Sequence, residues 1–120
     1  MIAGKAAGGA IVNLASMLAK EGCPRFGVYS ATKTGVVALT KVVAKELAIH
    51  DIRVNVVLPE LVDTPMVAGA FSAETIASIV ANHPHRRLCR PEEVARTVMF
   101  LCGPGCSSTS GVAVDVAYCF

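Results

Sequence analysis

The fold is set by Ile52-Arg53-Val54-Asn55-Val56-Val57-Leu58-Pro59, a stretch typical of a buried β-strand. Its β-branched residues favour extended backbone, and Pro59 ends the strand because proline cannot donate a ladder hydrogen bond. Before this strand, residues 28–49 have the apolar periodicity of a helix. The apolar residues recur at three- and four-residue spacing: Val36, Leu39, Val43 and Leu47. Farther back, residues 10–15 predict an earlier strand, short, apolar and buried on both faces, and residues 16–27 predict a loop.

Two shorter helices and a last strand are predicted after Pro59, although residues 59–90 are less regular. Ser72 can cap a helix that runs to about Ala81. Pro91 fits the first position of a helix that runs to about Cys102, since proline lacks the amide hydrogen that is unpaired there. Residues 112–116 predict the last strand. Strand, long helix, strand, helices, strand is the order of an α/β fold with a parallel sheet and crossover helices, and we expect a single domain over residues 1–120.

The composition is that of a protein interior. Of 120 residues, 53% are hydrophobic and only 17% are charged, against about 25% charged in an average soluble domain. A net charge of +2 gives no reason to expect a nucleic-acid partner, and no apolar run reaches the ~18 residues of a membrane span. We expect no signal peptide, because no long apolar stretch follows Lys5.

Five cysteines are scattered along the chain without a Cys-x-x-Cys pair. An odd, scattered set favours thiols in a reducing cytoplasm over disulfides. We therefore expect a cytoplasmic protein.

Three kinds of side chain are expected at one edge of the sheet. Ligands of such folds bind beyond the carboxyl ends of the strands, where Ser16 and the residues after Pro59 lie and where Tyr29 and Lys33 open the long helix. Tyr29 and Lys33 are one helical turn apart, and a nearby ammonium favours the phenolate form of a phenol. A hydroxyl such as that of Ser16 can hydrogen-bond a substrate carbonyl. The trio suits reversible reduction of a ketone, although a Tyr-x-x-x-Lys pair alone is often only a solvated helix face.

These motifs resemble the short-chain dehydrogenase/reductase family over nearly the whole chain. Residues 8–16 are similar to the family's strand that ends in the active-site serine, and residues 29–33 to its Tyr-x-x-x-Lys motif, thirteen residues after Ser16. Residues 53–59 are similar to the next strand. Further similarity lies in residues 62–66, 90–95 and 110–115. The resemblance implies a Rossmann-like sheet.

The resemblance also implies the role of each residue. Tyr29 is the expected catalytic acid and base, Lys33 supports it and holds the nicotinamide ribose, and Ser16 orients the substrate carbonyl. Cofactor-binding positions are expected at Tyr29, Lys33, Pro59, Val62 and Thr64. The implied cofactor is NAD or NADP, and the sequence does not indicate which of the two is preferred. The implied substrate is a small carbonyl compound or alcohol. The hydride chemistry belongs to the cofactor.

The family's glycine-rich turn, which cradles the cofactor pyrophosphate after a strand, has no counterpart in the sequence. Gly4 to Gly9 precede a strand rather than follow one, and Asn13 lies inside a strand, so it is not the family's catalytic asparagine. Residues 1–4 look like the tail of a helix that is otherwise missing. We therefore expect a C-terminal catalytic half, with the Rossmann-like sheet truncated to about three strands.

Two local differences from the family concern activity. Glu60 stands where glycine is usual, so its side chain is expected to crowd the nicotinamide, or its backbone to need a conformation that glycine adopts more readily. Val116-Ala117 stands where two glycines are common.

Other candidate sites are weaker. His83 and His85 lack further ligands at zinc spacing, so no metal is expected, and the arginines at 86, 87 and 90 are typical of a solvated loop. By resemblance, residues 66–90 form a flap over the substrate. Four apolar residues are equally consistent with the lining of a substrate pocket and with ordinary core packing: Met17, Leu18, Phe26 and Met66.

A different class of function stays open. The chain is either half of an enzyme or a truncated, non-catalytic module for interaction or dimerisation. In both cases the 28–49 helix is the expected contact of a homo-oligomer, because the helix has more apolar surface than one core face needs. The valines on which this rests are Val36, Val37, Val42 and Val43.

Overall fold

The computed structural model describes residues 8–118, and its centre is a parallel sheet of three strands. The strands are β1 (Gly9–Leu14), β2 (Ile52–Pro59) and β3 (Ala113–Val116), in the order β1-β2-β3. Each strand begins and ends within one residue of its predicted position. The α/β fold class is therefore confirmed. The predicted helix tail at residues 1–4 lies outside the described residues, as does Cys119.

Five α-helices connect the strands: α1 (Leu18–Glu21), α2 (Gly27–Leu47), α3 (Pro65–Ala70), α4 (Ala73–Asn82) and α5 (Pro91–Cys102). The predictions for α2, α4 and α5 are confirmed to within two residues. The prediction of a loop over 16–27 is wrong at α1, and α3 was not predicted. Both helices are too short, at four and six residues, to display a helical period in the sequence. No helix among residues 8–118 is long and apolar enough to cross a membrane.

Helices cover both faces of the sheet. On one face, Val54, Val56 and Leu58 pack beneath α2. On the other face, Val57 packs with Val94 and Leu101 of α5. Because side chains alternate along a strand, β2 contributes to two separate cores.

The buried face of α2 differs from the predicted stripe at one position. Val36, Val43 and Leu47 pack against the sheet, but Leu39 is 58% exposed. Thr40 is buried instead. Its hydroxyl donates to the carbonyl oxygen of Val36 (2.8 Å) and accepts from Asn13 Nδ2 (2.9 Å), so the polar group is satisfied inside the core.

Strand β1 is less buried than predicted. Its residues are half-buried, and Leu14 at its end is 54% exposed. The prediction of burial on both faces is wrong for the described residues because β1 forms the edge of the sheet and pairs only with β2.

Two polar side chains of β2 tie the central strand to the segment after α5. Arg53 donates to the carbonyl oxygens of Leu101 (2.7 Å) and Gly103 (3.2 Å), which belong to the end of α5. Asn55 donates to the carbonyl oxygen of Thr109 (2.8 Å) and accepts from the amide of Val112 (3.1 Å). The strand therefore satisfies backbone groups that the helix end and the approach to β3 leave unpaired.

The cysteines within residues 8–118 are unpaired thiols: Cys23, Cys89, Cys102 and Cys106. Cys89 and Cys106 are buried, and the other two are exposed.

Candidate active site

Strands β1 and β2 stay paired past the end of β1, and this pairing places Ser16. The amide of Ala15 donates to the carbonyl oxygen of Val57 (2.9 Å), and the amide of Met17 donates to that of Pro59 (3.0 Å). Ser16 therefore lies beside the carboxyl end of β2. Its Oγ accepts from the amide of Leu18 (3.2 Å), which leaves the hydroxyl hydrogen available to another acceptor.

The first turns of α2 place Tyr29 and Lys33 at the same edge. The Lys33 Nζ atom lies 5.7 Å from the centre of the Tyr29 ring. It also donates to the carbonyl oxygen of Leu14 (3.3 Å), two residues before Ser16. Lys33 thus links the helix face that carries Tyr29 to the end of β1 that leads into Ser16.

An aromatic contact joins Tyr29 to the segment between α3 and α4. The ring of Phe26 meets the Tyr29 ring edge to face, with 6.4 Å between centres, and stacks on Phe71 at 6.1 Å. Phe71 was not singled out in the sequence, where the only signal is an aromatic residue directly before the cap Ser72. Among the other candidates for an apolar pocket, Met17 packs in the core and Met66 is 78% exposed.

The turn after β2 is held by the segment before α5. The amide of Cys89 donates to the carbonyl oxygen of Leu61 (3.1 Å), and the amide of Asp63 donates to that of Cys89 (2.8 Å). Val62 lies between these bonds in a parallel bridge with Cys89, and Thr64 Oγ1 donates to the carbonyl oxygen of Val62 (3.3 Å). The positions of Val62 and Thr64 are thereby fixed by the backbone.

The side chain of Glu60 is directed toward the end of the chain. Its Oε2 atom lies 2.9 Å from His83 Nε2 and accepts from the amide of Tyr118 (3.2 Å). The side chains of Glu60 and His83 are each 9% exposed. Glu60 does not have a positive φ, so its backbone does not need the conformation that glycine favours.

A strong ion pair stabilises the start of α5. Arg87 binds both carboxylate oxygens of Glu93, at 2.8 and 2.7 Å, and the amide of Arg90 donates to the same carboxylate (2.8 Å). The hydrogen bonds from Arg87 hold the pKa of Glu93 well below its usual range, and the same bonds raise the pKa of Arg87. Nearby, burial raises the pKa of the Cys89 thiol.

These residues fit one end of a nicotinamide dinucleotide. The Lys33 ammonium offers three donors, and the Tyr29 hydroxyl both donates and accepts, which suits a ribose diol and a carbonyl oxygen. The pyrophosphate end of the dinucleotide has no comparable fit among residues 8–118. Within residues 8–118, no glycine-rich turn leads from a strand into a helix, because Gly8 and Gly9 open β1.

The parallel sheet, with helices on both faces, defines a Rossmann-like α/β protein, and the comparisons with known proteins agree. The family described as enoyl-(acyl carrier protein) reductase matches residues 2–117. A cis-4-hydroxycyclohexanecarboxylate dehydrogenase from Sinomonas cyclohexanicum is 44% identical over 115 residues, which is 94% of this chain and 46% of that protein. The chain belongs to the short-chain dehydrogenase/reductase family.

Solved structures show the same likeness. An actinorhodin polyketide ketoreductase with NADPH has a TM-score of 0.86 and 38% identity, covering 92% of this chain and 46% of that one. A 3-ketoacyl-(acyl-carrier-protein) reductase from Brucella melitensis, complexed with NADH, has a TM-score of 0.79 and 37% identity, covering 90% and 43%. The chain thus spans about half the length of the relatives that it matches.

Proposed function

We propose that residues 1–120 are the C-terminal, catalytic half of an NAD(P)-dependent oxidoreductase that interconverts a secondary alcohol and a ketone. The observation that carries this proposal is the position of the Lys33 ammonium, beside the Tyr29 ring and bonded to the end of β1 that leads into Ser16. The names of the relatives, dehydrogenases and reductases, support a small carbonyl compound or alcohol as substrate.

In this reaction, the chain's own residues transfer a proton and stabilise the phenolate that the transfer leaves. Tyr29 gives its phenolic proton to the substrate oxygen during reduction and takes it back during oxidation. The Lys33 ammonium stabilises the phenolate that remains. Ser16 donates the hydroxyl hydrogen that Leu18 leaves available and so orients the carbonyl. The nicotinamide, when bound, supplies or accepts the hydride.

The cofactor contacts of this half lie at its nicotinamide end. Lys33 and Tyr29 hold the ribose, and Pro59, Val62 and Thr64 hold the carboxamide side. We place the pyrophosphate in a half of the enzyme that would precede residue 1. Residues 1–120 are then part of one dinucleotide-binding domain, with three of its strands, and NAD and NADP both remain candidates because relatives are solved with NADPH and with NADH.

A second candidate function is favoured by the exposed face of α2. Three large apolar residues of this helix are largely exposed: Val28, Leu39 and Val42. The predicted valines contribute less than expected, since Val36, Val37 and Val43 pack against the sheet. We infer that α2 is the contact of a homo-oligomer, whether the cytoplasmic protein is an enzyme or a non-catalytic module for interaction.

Replacement of Tyr29 by phenylalanine tests the proposed reaction. The test uses a restored chain, in which residues 1–120 follow the N-terminal half of the Sinomonas relative. Tyr29→Phe should lower kcat by at least about a hundredfold, because the proton donor is lost. Ser108→Ala, which removes an exposed hydroxyl before β3, should leave kcat unchanged. Retained turnover in Tyr29→Phe would refute the mechanism.

Binding separates the enzyme from the non-catalytic module. We expect NADH and NADPH to bind the restored chain saturably, and quenching of cofactor fluorescence during a titration measures this. The 120-residue chain should show no saturable quenching. A sequence for a glycine-rich turn, in frame upstream of Met1 in the genome, would also support the proposal that residues 1–120 are half of an enzyme. A restored chain that binds neither cofactor would favour the interaction module.

A further inference from the structure

A buried carboxylate holds three separate segments together beside the turn at 60–64. Glu60 follows β2, His83 lies between α4 and α5, and Tyr118 follows β3. The same Glu60 oxygen lies 2.9 Å from His83 Nε2 and 3.2 Å from the Tyr118 amide nitrogen, and its side chain is 9% exposed. A carboxylate that is buried and hydrogen-bonded to this degree resists displacement, because any movement leaves its charge without partners.

The bonds of His83 determine which ring nitrogen donates. His83 Nδ1 accepts from the amide of His85 (3.1 Å), so in the neutral ring the proton is on Nε2, which donates to Glu60. This tautomer satisfies both neighbours at once. The orientation of the His83 ring is thereby fixed by Glu60 on one side and by the backbone on the other.

The ring of Tyr118 is held by the same group of residues. It packs on His85, with 4.1 Å between ring centres, and meets the edge of His83 at 6.0 Å. The Tyr118 hydroxyl lies 3.3 Å from His85 Nε2. The segment after β3 is therefore attached to the α4–α5 connection through side chains and to Glu60 through its backbone.

Glu60 and Cys89 both hold the short turn at 60–64. Cys89 bonds to Leu61 and Asp63, whereas Glu60 precedes both and its amide donates to the carbonyl oxygen of Val116 (3.2 Å). Without the Glu60 side chain, the turn would lose its bonds to His83 and Tyr118 and would keep its backbone bonds to Cys89 and Val116.

We propose that Glu60 is a positioning residue, which with His83 and Tyr118 fixes the turn at 60–64 in the conformation that binds the nicotinamide. This inference rests on the proposed function, which assigns Val62 and Thr64 to the cofactor. Glu60 stands where the family usually has glycine, so the chain replaces a flexible residue by a bonded one. Its role is in binding and not in proton transfer.

The test compares Glu60→Ala with the conservative Glu60→Gln in the restored chain, with Glu92→Ala as control because Glu92 is an exposed acid on α5. Glu60→Ala should raise KM for the cofactor about tenfold and leave kcat within about twofold. Glu60→Gln retains an oxygen acceptor and should restore most of the affinity. Without cofactor, the amides of Asp63 and Tyr118 should exchange hydrogen faster in Glu60→Ala than in the control.

The outcomes distinguish the two proposals. Unchanged KM and unchanged amide exchange in Glu60→Ala, in a protein that binds cofactor, overturn the positioning role alone. A lower kcat at unchanged KM overturns it as well, since Glu60 would then act in the chemical step. Absence of cofactor binding in the unmutated restored chain overturns the proposed function. If Glu60→Ala does not fold, nitrogen-detected spectra of the unmutated protein decide, because they must show His83 with its proton on Nε2.

Discussion

The phenol of Tyr29 has two different neighbours, a cation and an aromatic edge. Lys33 places its ammonium 5.7 Å from the ring centre, and Phe26 contacts the ring edge to face. Both contacts restrict where the 39%-exposed phenol can point. Since Phe26 also stacks on Phe71, the proposed proton donor is connected to the segment that resembles a substrate flap.

Removal of the Phe71 ring should therefore affect substrate binding more than proton transfer. In the restored chain, Phe71→Ala should raise KM for a small ketone about fivefold to tenfold with little change in kcat, because the stacked ring holds the proposed flap against Phe26. Steady-state kinetics measures both constants. Phe100→Ala, which removes an exposed ring of α5, is the matched control. An equal fall of kcat in Phe71→Ala would contradict a role in binding.

Sequence reasoning finds residues of a local motif better than residues that meet across the fold. Tyr29 and Lys33 are one turn apart, and their proximity follows from helix geometry alone. His83 meets Glu60 across 23 positions and Tyr118 meets Glu60 across 58. No spacing rule covers such pairs, so the destination of the Glu60 side chain could not be predicted.

Helix α5 is the element whose start depends most on charge. Glu93 binds Arg87 through both oxygens and also receives the amide of Arg90 at the first turn. The pKa of Glu93 is held below its usual range, so the charged carboxylate stabilises the folded state fully at pH values above the ordinary pKa of 4.5. That contribution is lost as the pH falls through the lower pKa of the folded protein.

Glu93→Gln should therefore destabilise the protein in a pH-dependent way. Urea unfolding should give a lower midpoint for the variant at pH 7, and the difference from the unmutated protein should shrink steadily below pH 4.5. Glu92→Gln, an exposed acid in the same turn, should show a smaller difference at pH 7. A midpoint difference that stays constant down to low pH would mean that the ion pair contributes nothing.

Capping signals helped to predict α4 and α5, and apolar periodicity predicted α2, which has no side-chain cap. Ser72 accepts from the amide of Thr75 as an N-cap, and Pro91 occupies the first turn of α5. Helices α1 and α3 are too short for a periodic pattern. Leu39 was misplaced because the buried Thr40 takes its expected position through hydrogen bonds, which hydrophobic periodicity does not register.

At the scale of the molecule, the sheet has an open edge within residues 8–118. Among these residues, strand β1 pairs only with β2, and its last residue, Leu14, is exposed. The low charge of the chain, 17%, offers few residues to protect such an edge. The unusual composition and the open edge therefore have the same explanation if further strands pair with β1 in a longer protein.

The 120-residue chain should self-associate in proportion to its concentration, and sedimentation velocity measures this directly. Leu14→Lys should lower the association, because a charge at the end of β1 opposes pairing between edges. Leu39→Lys is the matched variant on α2. Leu39→Lys should lower the association that the proposed α2 contact contributes. Association that Leu14→Lys leaves unchanged would contradict pairing through β1.

The hydrogen bonds of Arg53 and Asn55 also have a consequence during synthesis by the ribosome. Their partners on the far side lie 48 to 57 positions later in the chain. At about 5–20 residues per second, β2 waits roughly 2–11 s for them, whereas α2 is already complete. During that interval, Val54, Val56 and Leu58 can be covered by α2, and the uncovered face presents a guanidinium and an amide to water beside Val57. The two polar residues of β2 thus reduce the apolar surface that the nascent chain exposes before they bind their partners in the finished one.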